Sequence, residues 1–297
     1  MAYINVYVSK NAKIYMKNNQ LILENGEDKI DFPIEDVNSV MIENLQTVVS
    51  TFTLSVFAKK GILCFICDQN HLPCGVILPF CEHYQTLTQY NNQINTPKPL
   101  QKQLWKSIIE NKIKNQDYVL SKVGAKGRLK HLYESVLSGD SNNNEAQASL
   151  IYFKELFGND FARRDDKNYI NPALNYGYSI IRSFVAREIV VHGLMPFLGI
   201  YHCNQFNQFN LADDLVEVFR PIVDYFVYQN YNGQELNTTE KAKLFNLVNY
   251  NVIVNGQKHA LSYAIKLFVE SFQKSLKESE NCLKQISLTN LELHEYE

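Results

Sequence analysis

The prevailing period of apolar residues changes around Thr96-Pro97-Lys98-Pro99, and that change divides what the chain before it and the chain after it can fold into. Before it, apolar residues alternate or come in short runs. Ile4, Val6 and Val8 alternate; Ile14-Tyr15-Met16 and Leu21-Ile22-Leu23 flank the polar turn Lys17–Gln20; Ile30 and Phe32 precede Pro33. Val40-Met41-Ile42, Thr47-Val48-Val49, Ile62–Cys67 and Val76-Ile77-Leu78 continue the pattern of strands and hairpins. One helix interrupts them, predicted over Thr51–Lys60 with Ser50 as its cap and Gly61 as its stop. After the change, Leu100, Leu104, Ile108, Ile109 and Ile113 trace one face of a helix, with Pro99 in the first turn. The expected fold class is α+β: a small N-terminal β-rich domain over 1–82, a Gln/Asn-rich linker over 83–98, and a larger all-α C-terminal domain over 99–297.

Composition bounds the function more loosely. At 297 residues, 45% hydrophobic and 20% charged, the chain can bury two ordinary cores. No apolar run is long enough to span a bilayer, and Met1–Ser9 reads as a strand rather than a secretory signal, so the expected location is cytoplasmic. Reduced thiols follow from that for the six cysteines. Cys64, Cys67, His71, Cys74 and Cys81 raise the question of zinc, but residues three apart on a strand point to opposite faces, which favours small buried thiols. The net charge of −2 hides a basic block: nine Lys or Arg from Lys98 to Lys130 against Glu110 and Asp117. Such a block serves solubility or tracks a phosphate backbone.

Gly124-Ala-Lys-Gly127 is no phosphate loop, because no strand precedes it and the Gly-Lys-Ser/Thr ending is missing. Asn142 to Glu145 has capping-box spacing and opens a helix with Leu150, Phe153, Leu156 and Phe157 expected inside, so Glu145 has a plain structural role available. Asn171 as cap, Pro172 at the first position and Gly193 as stop mark an apolar helix whose Gly177 implies close approach by another backbone, and whose Arg182, Arg187 and Glu188 should be paired. Asn210–Asp224 is an apolar helical pattern bearing Asp213, Asp214, Glu217, Arg220 and Asp224, with His202 upstream. A histidine facing these carboxylates can bind a divalent metal; equally, Glu217–Arg220 and Arg220–Asp224 can be ion pairs of a solvated helix, which the residues alone favour. Beyond lie a helix capped by Thr238 or Thr239, a hairpin at Asn255-Gly256, a helix over about Ala260–Lys284, and an acidic, frayed tail from Ile286.

Three stretches together resemble one family. They are Glu145-Ala-Gln-Ala-Ser-Leu-Ile-Tyr-Phe, Asn171-Pro-Ala-Leu-Asn-Tyr-Gly-Tyr, and Gly193-Leu-Met-Pro-Phe-Leu-Gly-Ile-Tyr-His202 leading to Asn210-Leu-Ala-Asp-Asp-Leu-Val-Glu-Val-Phe-Arg-Pro. They are similar to the CRISPR-associated integrase of spacer acquisition, Cas1, in the form accompanying type II systems. The resemblance implies a metal-dependent DNA endonuclease and strand-transfer enzyme that inserts short DNA fragments into a CRISPR array by attack of a 3′-hydroxyl. It implies that Glu145, His202 and Glu217 bind Mg²⁺ or Mn²⁺, with Asp214 matching an acid that assists in some members. Val218 stands where the family usually has Pro, which should straighten the helix slightly, and Ala146 where Gly is common. Packing of the Glu145 and Glu217 helices is expected to run through the apolar helix Ala173–Val191, with Tyr152, Tyr176 and Tyr178 as packing or hydrogen-bonding groups. Lys102, Lys106, Lys126, Arg128, Arg163, Arg164 and Arg220 are candidates for contact with DNA or, for Arg220, with a site carboxylate. The implied partners are DNA, a second copy through the β domain, a dimer of the small Cas2 subunit bridged by two such dimers into a heterohexamer, and type II adaptation or effector proteins. A stand-alone nuclease of branched DNA in repair, and a non-catalytic DNA-binding scaffold, are the other readings.

Overall fold

Alternating apolar residues put Ile4–Val8 (β1), Lys13–Lys17 (β2), Gln20–Asn25 (β3), Asp28–Pro33 (β4), Val37–Ile42 (β5) and Val48–Val49 (β6) in strands, followed by helix α1 at Thr51–Lys60 and strands Leu63–Cys67 (β7) and Pro73–Ile77 (β8). The computed structural model describes residues 3–26, 28–80, 83–125, 128–165, 168–231 and 233–296. It divides into two compact units, Met1–Glu82 with Tyr296–Glu297, and His83–Glu295.

In the first unit one sheet runs β1-β5-β7-β8 and the other β4-β3-β2-β6. β1, β5 and β7 are parallel and β8 closes antiparallel; β2 and β3 form the expected hairpin, with Met16 opposite Leu21. Both sheets and α1 contribute to one core that includes Val6, Ile14, Leu21, Val40, Phe57 and Cys64. The Ser50 hydroxyl accepts from Thr53 N–H at the start of α1, and Gly61 closes the helix at φ 66°. Cys64, Cys67 and Cys74 are free thiols. Cys81 lies outside the described residues.

The second unit holds helices Thr86–Ile94 (α2), Lys98–Lys122 (α3), Lys130–Glu134 (α4), Asn144–Phe157 (α5), Ile170–Val191 (α6), Asn210–Val216 (α7), Arg220–Asn230 (α8), Thr238–Phe245 (α9) and Leu261–Glu278 (α10), with strands Tyr250–Val254 (β9), Gln257–Ala260 (β10) and Ile286–Leu293 (β11). The architecture is α+β as expected, a strand-rich first part and a mainly helical second. No helix among the described residues is long and apolar enough to cross a membrane.

Several local expectations change. The stretch read as a linker carries α2, because Gln93 turns inward: its amide donates to the Met195 and Leu198 carbonyls and accepts from Met195 N–H. The tail read as frayed is β11, paired with β9 and burying Ile286 and Leu288. Asn171 lies inside α6 rather than capping it, and its amide donates to the Ala162 and Asp165 carbonyls. Asn237, not Thr238 or Thr239, caps α9 in a capping box with Glu240. α10 ends at Glu278, short of the expected Lys284. Leu150 is exposed, while Ala148, Tyr152 and Leu156 form the buried face of α5. Gly177 does mark a close approach, by a side chain: a Cβ there would lie 2.5 Å from Val223 Cγ1 of α8.

Candidate functional site

α3 is the element on which the site is assembled. Its apolar stripe Leu100, Leu104, Ile108, Ile109, Ile113 is buried, and so are the polar residues Asn111, Lys112, Asn115 and Gln116. Polar groups that deep need partners. Asn111 and Asn115 find theirs in the backbone of β11: both side-chain amides donate to the Ile286 carbonyl, and their carbonyls accept from the N–H groups of Ile286 and Leu288. Asn115 also donates to the Val218 carbonyl at 3.1 Å, which ties down the turn carrying Glu217. α3 packs on α5, α8, β11 and that turn. The packing that joins the two acidic helices therefore runs through α3, rather than through α6 as the sequence suggests. α6 packs instead on α7, α8, α9 and α10.

Glu145 sits in the first turn of α5, but it does not cap it. The Asp140 carboxylate takes that role, accepting from Asn144 N–H at 2.8 Å and Glu145 N–H at 3.1 Å. Asn142 instead bonds the Ser135 carbonyl and Leu137 N–H, so the capping-box expectation fails. With the helix end satisfied by Asp140, the Glu145 side chain can reach α3. There Glu145 Oε1 lies 2.6 Å from Lys112 Nζ.

Glu217 reaches the same ammonium from the other side, with Oε2 at 2.5 Å from Lys112 Nζ. The helical stretch of the sequence is not continuous here. α7 and α8 are joined by a 3-10 turn, Glu217–Phe219, which holds Val218. Arg220 Nε stands 3.1 Å from Glu217 Oε1. Burial pushes the Glu217 carboxyl up, but Arg220 and Lys112 outweigh it and leave it below its ordinary range. Burial works against the charge on Lys112 too, and Glu217 and Glu145 outweigh it, so its pKa is raised.

His202 follows the turn Gly193–Tyr201. Its Nδ1 lies 2.7 Å from Asp214 Oδ1. Asp214 is fully buried and also accepts from the N–H groups of Ile200, Tyr201 and His202. Such close wrapping of the turn around the carboxylate requires Gly199, where a Cβ would lie 2.3 Å from the His202 carbonyl and 2.7 Å from Asp214 Oδ2. The hydrogen bond to Asp214 raises the His202 pKa, burial opposes it, and the charges of Asp214 and Glu217 add to the rise. Trp105 of α3 stacks on Tyr201 at 4.0 Å, and His202 meets both rings edge-on.

The structure thus brings Glu145 and Glu217 to one ammonium and places His202 within the field of Glu217. Among the described residues no three His, Cys, Asp or Glu groups stand close enough together to hold an ion between them. Asp213, adjacent to Asp214, points away and pairs with Arg182 of α6 at 2.6 Å. Arg220 also stacks over Tyr178, whose hydroxyl donates to buried Asp224. Arg163 is bound to Asn171 and Asn175 and lies over Phe153 and Tyr178, so it braces the fold beside the site. Lys102, Arg128 and Arg164 are exposed, Lys106 pairs with Glu110 at 3.6 Å, and Lys126 lies outside the described residues.

Sequence reading missed Lys112, Asn115 and Asp140. Lys112 had a signal: it falls on the apolar stripe, four residues after Ile108 and three after Ile109, where a lysine is buried and must be paired.

Comparison with known proteins fits this geometry. The family model for CRISPR associated protein Cas1 matches residues 6–249. The chain is 35% identical over 305 residues to the CRISPR-associated endonuclease Cas1 of Neisseria meningitidis serogroup C (strain 8013), covering 100% of this chain and 99% of the relative. Among solved structures, a casposase bound to integration product has a TM-score of 0.74 at 20% identity, over 95% of this chain and 92% of that one. A Cas6-RT-Cas1–Cas2 complex has a TM-score of 0.68 at 16% identity, over 97% of this chain and 36% of that one. At those identities the two structures speak for the fold, while the family match and the full-length relative place the sequence: the chain belongs to the CRISPR-associated protein Cas1 family.

Proposed function

We propose that this chain is a divalent-metal-dependent DNA endonuclease and integrase of CRISPR adaptation, acting through Glu145, His202 and Glu217. The observation that carries the reading is the convergence of Glu145 and Glu217, from separate helices, on one cation beside a histidine oriented by a buried carboxylate. Two carboxylates and an imidazole are a donor set for Mg²⁺ or Mn²⁺. Glu217 Oε2 is buried, and with Glu145 Oε1 it already faces one positive charge, so these two carboxylates fit a cation, with His202 the third donor of the set. When bound, the ion would act as a Lewis acid on the phosphoryl oxygens and align the reacting groups.

The protein's own residues set up that chemistry. Asp214 holds the imidazole with Nδ1 toward its carboxylate, which leaves the Nε2 lone pair for a ligand. Arg220 stands 3.1 Å from Glu217 Oε1 and offsets its charge. Asn115 fixes the turn beneath Glu217. In the reaction, a 3′-hydroxyl of a short DNA fragment attacks a phosphodiester at the repeat boundary; one P–O bond forms, the opposite one breaks, and the displaced strand leaves with a new 3′-hydroxyl. No covalent bond to the protein is needed.

The solved complexes whose fold this chain shares, one with integration product and one with Cas2, support DNA and Cas2 as partners. The strand-rich unit is assigned the homodimer contact, and two such dimers flank the Cas2 dimer into a heterohexamer, working in the cytoplasm of a type II system. The test is transfer of a short duplex with free 3′-hydroxyls into a repeat-bearing plasmid, with Mg²⁺ or Mn²⁺, with and without Cas2, for the natural chain and His202→Ala. Transfer that needs metal, repeat and His202 establishes the reading. Metal-dependent cutting without repeat preference points to a repair nuclease, and DNA binding without turnover in either protein points to a scaffold.

A further inference from the structure

Lys112 has no part in the proposed reaction, yet it is the group on which the two acids converge. It sits on the inward face of α3 with 6% exposure, and nothing in its immediate helix neighbourhood requires a charge there: Ile108, Ile109 and Ile113 are fully buried. Its ammonium touches Glu145 Oε1 at 2.6 Å and Glu217 Oε2 at 2.5 Å. Those two carboxylates come from α5 and from the turn between α7 and α8. Without a cation between them, they would repel across a low-dielectric space.

The ammonium already contacts both of these oxygens, so a divalent ion bound to the same two atoms would have to displace it. The carboxylates differ in freedom. Glu217 is 4% exposed and its Oε1 is held by Arg220, whereas the Glu145 side chain is 29% exposed and has Lys112 as its side-chain partner. Glu145 is therefore the acid that can turn from ammonium to ion.

We propose that Lys112 is a built-in counter-cation of the catalytic centre: it gathers Glu145 and Glu217 before metal arrives, and the divalent ion enters by displacing its ammonium from between them. Lys112 is thus a positioning residue that shapes the site and competes with the ion for it. The inference rests on the metal-site reading of Glu145, His202 and Glu217.

Two opposite effects of one substitution separate this role from simple packing. Lys112→Met keeps most of the unbranched side chain and removes the charge; Lys112→Gln, also one atom shorter than lysine, removes the charge and keeps a hydrogen-bonding end. Mn²⁺ binding is measured by paramagnetic resonance of the free ion, and thermal unfolding is followed in chelator and in saturating Mn²⁺. Both variants should melt below the natural chain in chelator, bind Mn²⁺ with a dissociation constant lower on the order of tenfold, and show a larger rise in melting temperature when Mn²⁺ is added. Unchanged or weaker Mn²⁺ binding by folded variants overturns the proposal, because the ammonium then does not compete with the ion. Variants that stay unfolded even when refolded with Mn²⁺ overturn it as well, since the ion then does not replace the ammonium. The natural chain tests the underlying reading separately: Mn²⁺ binding that His202→Ala leaves untouched would remove the metal site itself, whatever Lys112 does.

Discussion

The Asp214 carboxylate, 2.7 Å from His202 Nδ1, also receives the backbone N–H groups of Ile200, Tyr201 and His202, so one buried side chain orients the imidazole and shapes the turn that delivers it. Asp214→Asn keeps the shape and breaks this arrangement. The amide nitrogen would face the Ile200 and Tyr201 N–H groups, donor against donor. We expect a stability loss of about 1–3 kcal/mol, a His202 pKa returned toward its ordinary value, and strand transfer reduced roughly 10–100-fold. Denaturant titration, imidazole NMR titration and single-turnover transfer check the three parts.

Gly177 is required by packing. Alanine there would place Cβ 2.5 Å from Val223 Cγ1, a stiff β-branched side chain in the core. Gly177→Ala should lower stability by about 1–3 kcal/mol, despite the better helix propensity of alanine. Val223→Ala in the same protein should restore part of the loss, giving a favourable coupling in a double-mutant cycle measured by thermal unfolding.

Asp224 supplies a pH signature. Burial raises its pKa from 3.8 to about 6, against the donated Tyr178 hydroxyl and the charges of Arg163 and Arg220. The folded state then binds more protons than the unfolded state between those two values, so this group's contribution to stability falls as pH rises through the window and is flat above it. The change across the window is about 3 kcal/mol. Asp224→Asn, whose carbonyl can still accept from Tyr178, should remove that slope. The difference between natural and variant unfolding free energies, measured from pH 4 to pH 7, isolates it.

Lys102, Arg128 and Arg164, candidates for contact with DNA, are exposed. If they follow a DNA backbone, reversing all three to Glu should reduce the slope of log affinity against log salt by roughly one for each phosphate no longer neutralised. Reversal of Lys106, which is already paired with Glu110, should change it less. Fluorescence anisotropy with a short duplex over a salt series gives the slopes, and an unchanged slope in the triple variant assigns the DNA-binding face elsewhere.

Much of the fold was legible because its signals are local. Alternation gave the first hairpin, a serine and a glycine bounded α1, and apolar spacing gave α3, α6 and α10. The failures were of one kind. Asn142 had the right spacing for a cap, but Asp140 reached the same N–H groups from a left-handed residue two positions earlier. The strand at Ile286–Leu293 looked like a frayed tail because its partners, Asn111 and Asn115, lie some 175 and 171 positions away along the chain.

The sequence by itself determined where the chain changes from strand to helix, which residue types could bind a cation, and that a histidine and several acids lie close together near the third motif. It could not say which acid does what. Asp213 and Asp214 are neighbours, yet a helix turns by about 100° per residue, so they leave the backbone in different directions. Packing of α6 claims Asp213 for Arg182 and turns Asp214 toward His202. Lys112 likewise reads as one basic residue among nine until α3 is buried between two acidic elements, and the ion pairs that then form depend on residues 33 and 105 positions distant. Charge and period are properties of the chain; which charges meet is decided by the core that brings their helices together.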